Sequence, residues 1–115
     1  MSESEDQDRI HELLALVRQG DEAARNELLE GCRNYVKLMA RSQVETWMNA
    51  KVDASDLVQQ TLLEAYQGLA SFEGNSEAEW YAWIKQILAH NTQDFIRQFR
   101  TAKRDAKKEV RLNSQ

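Results

Sequence analysis

Two groups of residues in this sequence are placed to do chemistry, and in both cases the chemistry is binding. The first lies between Phe72 and Arg100. Trp80, Tyr81 and Trp83 cluster just behind a polar loop of Gly74, Asn75 and Ser76, and Lys85, Asn91, Gln93, Arg97, Gln98 and Arg100 follow. Aromatic faces stack on unpaired bases, carboxamides read base edges, and Lys and Arg hold phosphates. A helix starting near residue 77 would add free N–H groups for an anion. The plainer account is that tryptophans three residues apart are both core. Trp83 is expected there, with one of Trp80 and Tyr81 nearer solvent, because adjacent helical positions point about 100° apart. The second group is Asp56, Gln59, Gln60 and Glu64, which share the outer face of a helix and would suit a basic partner. A generic polar face explains that pattern equally well.

Catalysis finds little support. His11 and His90 fall on different helices and lack the His, Cys or carboxylate spacing of a metal site. His90 and Asp94, four apart, read as an ordinary surface contact. Cys32 lies on an apolar stripe and is expected to be a small core residue. No phosphate-cradling glycine motif and no nucleophile elbow occurs. Neither a metal nor a cofactor is implied, and the chain is not expected to be an enzyme.

These groups need elements to hold them. The chain has 115 residues, enough for one domain. With 42% apolar residues, no Pro and four Gly, it can bury a core but lacks the turn residues of a sheet protein. The expectation is an all-α bundle of three to four helices. A single Cys excludes an internal disulfide and fits a reducing, cytoplasmic setting. No apolar run approaches the roughly 20 residues of a membrane span, and the acidic start is unlike a signal peptide. Charge is split: residues 1–84 carry a net −9 and residues 85–115 a net +5. An acidic body suits a basic protein surface, and a basic end suits phosphate.

An acidic, disordered tail is expected over 1–8. Ile10, Leu13, Leu14 and Val17 mark a helix over about 7–19, stopped by Gly20. Asp21 would cap a second helix over about 22–42, with Ala24, Leu28, Cys32, Tyr35, Val36 and Met39 inward. The stretch from Val44 to Met48 either extends it or turns. Asp53 looks like the cap of a third helix over about 54–70, which turns Leu57, Val58, Thr61, Leu62, Ala65, Tyr66 and Leu69 inward. Ser76 and Glu79 form a capping box for a fourth helix, which nothing breaks before 100. Residues 105–115 are expected to be a frayed basic segment.

The stretch Asp53-Ala-Ser-Asp56-Leu-Val-Gln59-Gln-Thr-Leu-Leu-Glu64-Ala-Tyr66 resembles region 2.2 of bacterial sigma factors of the sigma-70 superfamily. Phe72-Glu-Gly-Asn-Ser76, then Trp83-Ile-x-x-Ile87, Asn91, Asp94 and Arg97, resembles regions 2.3 and 2.4 of the extracytoplasmic-function (ECF) group. Residues 9–42 resemble regions 1.2 and 2.1, so the resemblance covers about 9–104. It implies a protein that binds core RNA polymerase and directs it to promoters. The third helix would dock on the clamp coiled coil of the β′ subunit through Asp53, Asp56, Gln59, Gln60 and Glu64. The minus-ten promoter element, as melted non-template single strand, would be held by Phe72, Gly74, Asn75, Ser76, Trp80, Tyr81, Lys85, Asn91, Arg97 and Arg100. The loop would pocket a flipped base, with stacking and edge hydrogen bonds offsetting a few kcal/mol of unstacking. An anti-sigma factor is a further implied partner; a membrane is not.

Two departures stand out. The family usually carries a region 4 domain, and nothing after Arg104 could supply one, so a region 2 fragment or a truncated member is expected. Glu77 and Glu79 would repel phosphate beside the loop, so one of them is expected to cap the helix instead. The competing reading is a helical interaction module that mimics region 2 without selective DNA capture.

Overall fold

In a computed structural model of the protein, residues 3–47 and 54–113 are described, and they form four α-helices and one short 3-10 turn. α1 spans Glu3–Arg18. It starts inside the stretch expected as a tail, where acidic residues suit the positive end of a helix dipole. It stops at Gly20, whose φ of 88° is the left-handed conformation that glycine tolerates best. There the Asp21 N–H donates to Leu16 O at 3.0 Å and the Gly20 N–H to Val17 O at 2.9 Å, closing the helix end. Asp21 then caps α2, its Oδ1 accepting the Ala24 N–H at 3.1 Å.

α2 spans Glu22–Trp47, so Val44 continues the helix rather than turning. Its buried residues are Ala24, Leu28, Cys32, Val36, Ala40 and Val44, one every fourth position. A period of 4 exceeds the 3.6 of the helix, so this row advances about 40° per step and turns through roughly 200° along its length. That rotation lets α2 pack against each of the other three helices in turn. Small and large residues alternate along the row, which lets neighbouring backbones approach.

α3 spans Ala54–Gly68 and buries Leu57, Val58, Thr61 and Ala65. The expected cap, Asp53, lies outside the described residues. Leu62 and Tyr66 are only half-buried. Leu69 is buried as expected, but within a 3-10 turn over Leu69–Ser71 rather than in α3. A polar clasp holds the end of α3 to the start of α2. The Tyr66 hydroxyl donates to the Glu22 carboxylate, and Arg25 sits 4.4 Å above the Tyr66 ring while pairing with Glu22 at 2.7 Å. That hydroxyl pulls the Glu22 pKa down, and the carboxylate pushes the Tyr66 pKa up.

α4 spans Glu77–Asn113 and is about 55 Å long at 1.5 Å per residue. The stretch expected to fray is helical through Asn113, because neither Pro nor Gly follows Gly74. Its core row is Trp80, Ile84 and Leu88, continued by Asn91 and Thr92. Among the described residues, no helix is long and apolar enough to cross a membrane. The fold is thus the expected all-α bundle.

Candidate nucleic-acid interface

The loop between the 3-10 turn and α4 is built around one close approach. The Phe72 ring folds back over Gly74, where an added Cβ would lie 2.4 Å from Phe72 Cζ and 2.9 Å from Glu79 Cβ. Phe72 stacks on Trp83, with centroids 4.9 Å apart and planes 30° apart, and meets Trp80 edge-on at 6.0 Å. Trp83 lies against Gly68, where a Cβ would come within 3.3 Å of its ring. The expectation that Trp83 is core is therefore overturned, while Trp80 and Tyr81 do differ in exposure, Tyr81 being the nearer to solvent. Trp80 is only 1% exposed and has no face to offer a base, while Trp83 is half-buried at the surface. The reason is the core row: Trp80 is four residues from Ile84, in line with it, and Trp83 falls on its flank. Tyr81 also leaves the expected group. It packs edge-on to Tyr35 at 5.0 Å and lines a separate cleft with Arg9 and Glu27. The aromatic platform next to the loop is Phe72 with Trp83.

The loop backbone is gripped from both sides. Arg18 Nη2 donates to Gly74 O and, at 3.4 Å, to Phe72 O. His11 Nδ1–H donates to Asn75 O at 2.7 Å; a carbonyl only accepts, so that nitrogen carries the proton. Glu79 takes the Ser76 hydroxyl at 3.0 Å and the Asn75 N–H at 3.4 Å, while its own N–H reaches Ser76 Oγ at 3.2 Å. Glu79 is thus the expected capping carboxylate. Gly74 is buried, Ser76 is half-buried and Asn75 is exposed. Glu73 and Asn75 are the exposed residues of the loop between Phe72 and Ser76.

From the loop a basic track follows α4. Phe72, Trp83, Lys85 and Gln86, with Glu79, line a depression of about 500 Å³ that reaches Ala89. Ala89 also lines a groove of about 700 Å³ against the C-terminal half of α2, with Gln43, Gln93, Arg97, Arg100 and Arg104. At 100° per residue, positions 86, 93, 97, 100 and 104 fall within about 60° of one another, so they form one face. Lys85, Arg97 and Arg100 are exposed as expected. Arg97 is tied to Asp94, which also lies 3.7 Å from His90 as an ordinary i, i+4 contact. Asn91 does not belong to this track. It is 2% exposed, and its Nδ2 donates to Glu64 Oε2 at 2.7 Å and Thr61 Oγ1 at 3.3 Å, bridging α4 to α3.

On α3, Asp56, Gln59 and Gln60 are exposed together. Glu64 is half-buried and engaged, accepting from Gln60 Nε2 at 3.1 Å as well as from Asn91. Leu63, 49% exposed, completes the face, since 56, 59, 60 and 63 follow the i, i+3, i+4, i+7 spacing. Sequence reading passed over Leu63 although its spacing was visible. It also gave Arg18, His11 and Gly68 no part in the loop, for which no local pattern exists. Among the described residues, no three His, Cys, Asp or Glu side chains gather to hold a metal. Cys32 is fully buried, and burial pushes its thiol up to about 11.

Comparison with known proteins bears on what these surfaces meet. The profile of the family described as Sigma-70 region 2 matches residues 28–111. The ECF RNA polymerase sigma-E factor of Haemophilus influenzae is 29% identical over 84 residues, covering 73% of this chain and 41% of that protein. The chain thus spans about two fifths of the length of that curated relative. No solved structure matches.

Proposed function

The chain belongs to the sigma-70 region 2 family, and from that premise we propose that it binds core RNA polymerase and captures the melted minus-ten strand of a promoter. Region 2 domains are not enzymes, so the work is done by surfaces. The polymerase-binding surface is the face of α3 that carries Asp56, Gln59, Gln60 and Leu63. A leucine flanked by an acid and two amides suits a partner that presents an apolar contact ringed by basic groups, such as a coiled coil of the β′ clamp. Glu64 supports that face from its edge. Asp53 belongs to the same proposal through the family motif.

The strand-binding surface begins at the loop and follows α4. The observation that carries the reading is that the depression at Phe72 and Trp83 and the arginine-lined groove meet at Ala89 along α4, next to a loop whose Asn75 is exposed. From Trp83 to Arg104 this face runs about 30 Å, long enough to follow several nucleotides of a strand. Phe72 and Trp83 offer a surface for a flipped base, and Asn75 a donor and acceptor for its edge. Lys85, Arg97, Arg100 and Arg104 would hold phosphates. Trp80 and Asn91 act from within, as core and as bridge.

Fluorescence anisotropy with minus-ten and scrambled single strands tests the reading. Asn75→Ala should weaken the minus-ten strand about tenfold, the low end of about 1–3 kcal/mol for a good base-edge contact, and leave the scrambled strand unchanged. An equal loss on both strands refutes base reading by Asn75. If the unaltered chain binds polymerase but prefers no strand, it is an interaction module and the DNA half of the proposal falls.

A further inference from the structure

The loop that faces the candidate strand has little structure of its own. Three of its five carbonyls, at Phe72, Gly74 and Asn75, accept from α1, whose donors lie 54 to 64 residues earlier in the chain. α1 is fixed independently of the loop. Leu13 and Leu14 are buried in the core, and Arg9 makes a two-point contact with Glu27 of α2 at 2.8 and 2.9 Å. It is therefore a rigid arm with two donors at its loop-facing side. Arg18 sits in the last turn of α1, where a cation also complements the helix dipole.

The grip has a consequence for the exposed groups. The position of the Gly74 backbone decides whether the Phe72 ring can lie over it and against Trp83. The position of the Asn75 carbonyl decides where the carboxamide of the same residue points. Carbonyls near the surface can turn to water when a donor is lost, and the local contacts, from Glu79 to Asn75 and Ser76 and from Trp83 to Phe72, do not reach these carbonyls.

We propose that Arg18 and His11 are positioning residues for strand capture: α1 holds the Phe72–Ser76 loop in its receiving form and so sets its selectivity without touching the base. The inference rests on the reading of this loop as the base-capturing element. Arg18 acts through Gly74 and Phe72, and His11 through Asn75.

The test uses the full chain with Arg18→Met, Arg18→Lys and His11→Ala, each confirmed as helical by circular dichroism. Two readouts are taken: the affinity ratio between minus-ten and scrambled single strands over a salt series, and amide hydrogen exchange across residues 72–76 without DNA. Arg18→Met should lower the ratio about tenfold, speed exchange in the loop, and leave both the salt slope and core polymerase affinity unchanged. Arg18→Lys, which keeps a cationic donor group, should recover part of both losses. His11→Ala should move both readouts in the same direction. A salt slope that falls by about one unit, with equal loss on both strands, would make Arg18 a direct phosphate contact and overturn the proposal. Unchanged loop exchange in Arg18→Met would overturn it as well. If the unaltered chain shows no strand preference, the functional reading falls, and the brace is decided by exchange alone, faster exchange supporting it.

Discussion

Replacing Gly74 by Ala probes the packing that builds the loop. The added methyl would lie 2.4 Å from Phe72 Cζ and 2.9 Å from Glu79 Cβ. Carbon atoms rest at about 3.5–4.0 Å, so the ring must retreat by about 1 Å or more. Gly74 does not have a positive φ, so the cost is steric rather than a matter of backbone freedom. Overpacking of this kind costs about 1–3 kcal/mol. Each aromatic pair that Phe72 gives up, with Trp83 and with Trp80, adds about 0.5–1.5 kcal/mol. At the low end of each range the loss is about 2–3 kcal/mol, which at roughly 4 °C per kcal/mol lowers Tm by about 10 °C or more. Thermal unfolding followed by circular dichroism measures it, with the near-ultraviolet signal reporting the tryptophans. The double variant Gly74→Ala with Phe72→Leu makes room for the methyl and should be more stable than the sum of the single variants by about 1 kcal/mol or more. A Gly74→Ala stability within about 0.5 kcal/mol of the unaltered chain, or strict additivity in the double variant, refutes the close-packing account.

Asp56→Arg should weaken core polymerase binding at least tenfold while costing no more than about 1 kcal/mol of stability from the start of α3; unchanged affinity removes Asp56 from the docking face. Asn91→Ala leaves Glu64 and Thr61 without their shared donor and should cost about 1–3 kcal/mol. A loss of strand binding at full stability would instead return Asn91 to the interface. Cys32 has a sign that can be worked out: its folded pKa is raised from 9.0 to about 11, so the stability it contributes is intact below 9 and lost as pH rises toward 11. Urea unfolding at pH 8 and 11 should show the unaltered chain losing about 2 kcal/mol more than Cys32→Ala, at about 1.4 kcal/mol per unit with the folded thiol half ionised at pH 11, and parallel curves would refute burial as the cause.

Much of this molecule was legible from spacing because helices are local objects. Gly20 with Asp21, and Ser76 with Glu79, announce a helix end and two starts through bonds spanning only three to five residues. The polar face of α3 and the absence of any break in α4 follow from the same short-range rules. The motif from Asp53 to Arg97 carried the family, which the profile match then established.

Other features depended on which side of each helix found a neighbour. Periodicity could say that Trp80 and Tyr81 differ in exposure, but not that Trp80 joins Ile84 and Leu88 in the core and leaves Trp83 at the rim. Asn91 carries the same side chain whether it reads a base or bridges two helices; the approach of Thr61 and Glu64 chose the bridge. The bonds from Arg18 and His11 to the loop had no sequence signal at all, because they join segments more than fifty residues apart. Short-range spacing determined the helices, their caps and the chemistry of their faces. Tertiary packing decided which of those faces meet water, because burial is set by contacts between helices that no single helix encodes.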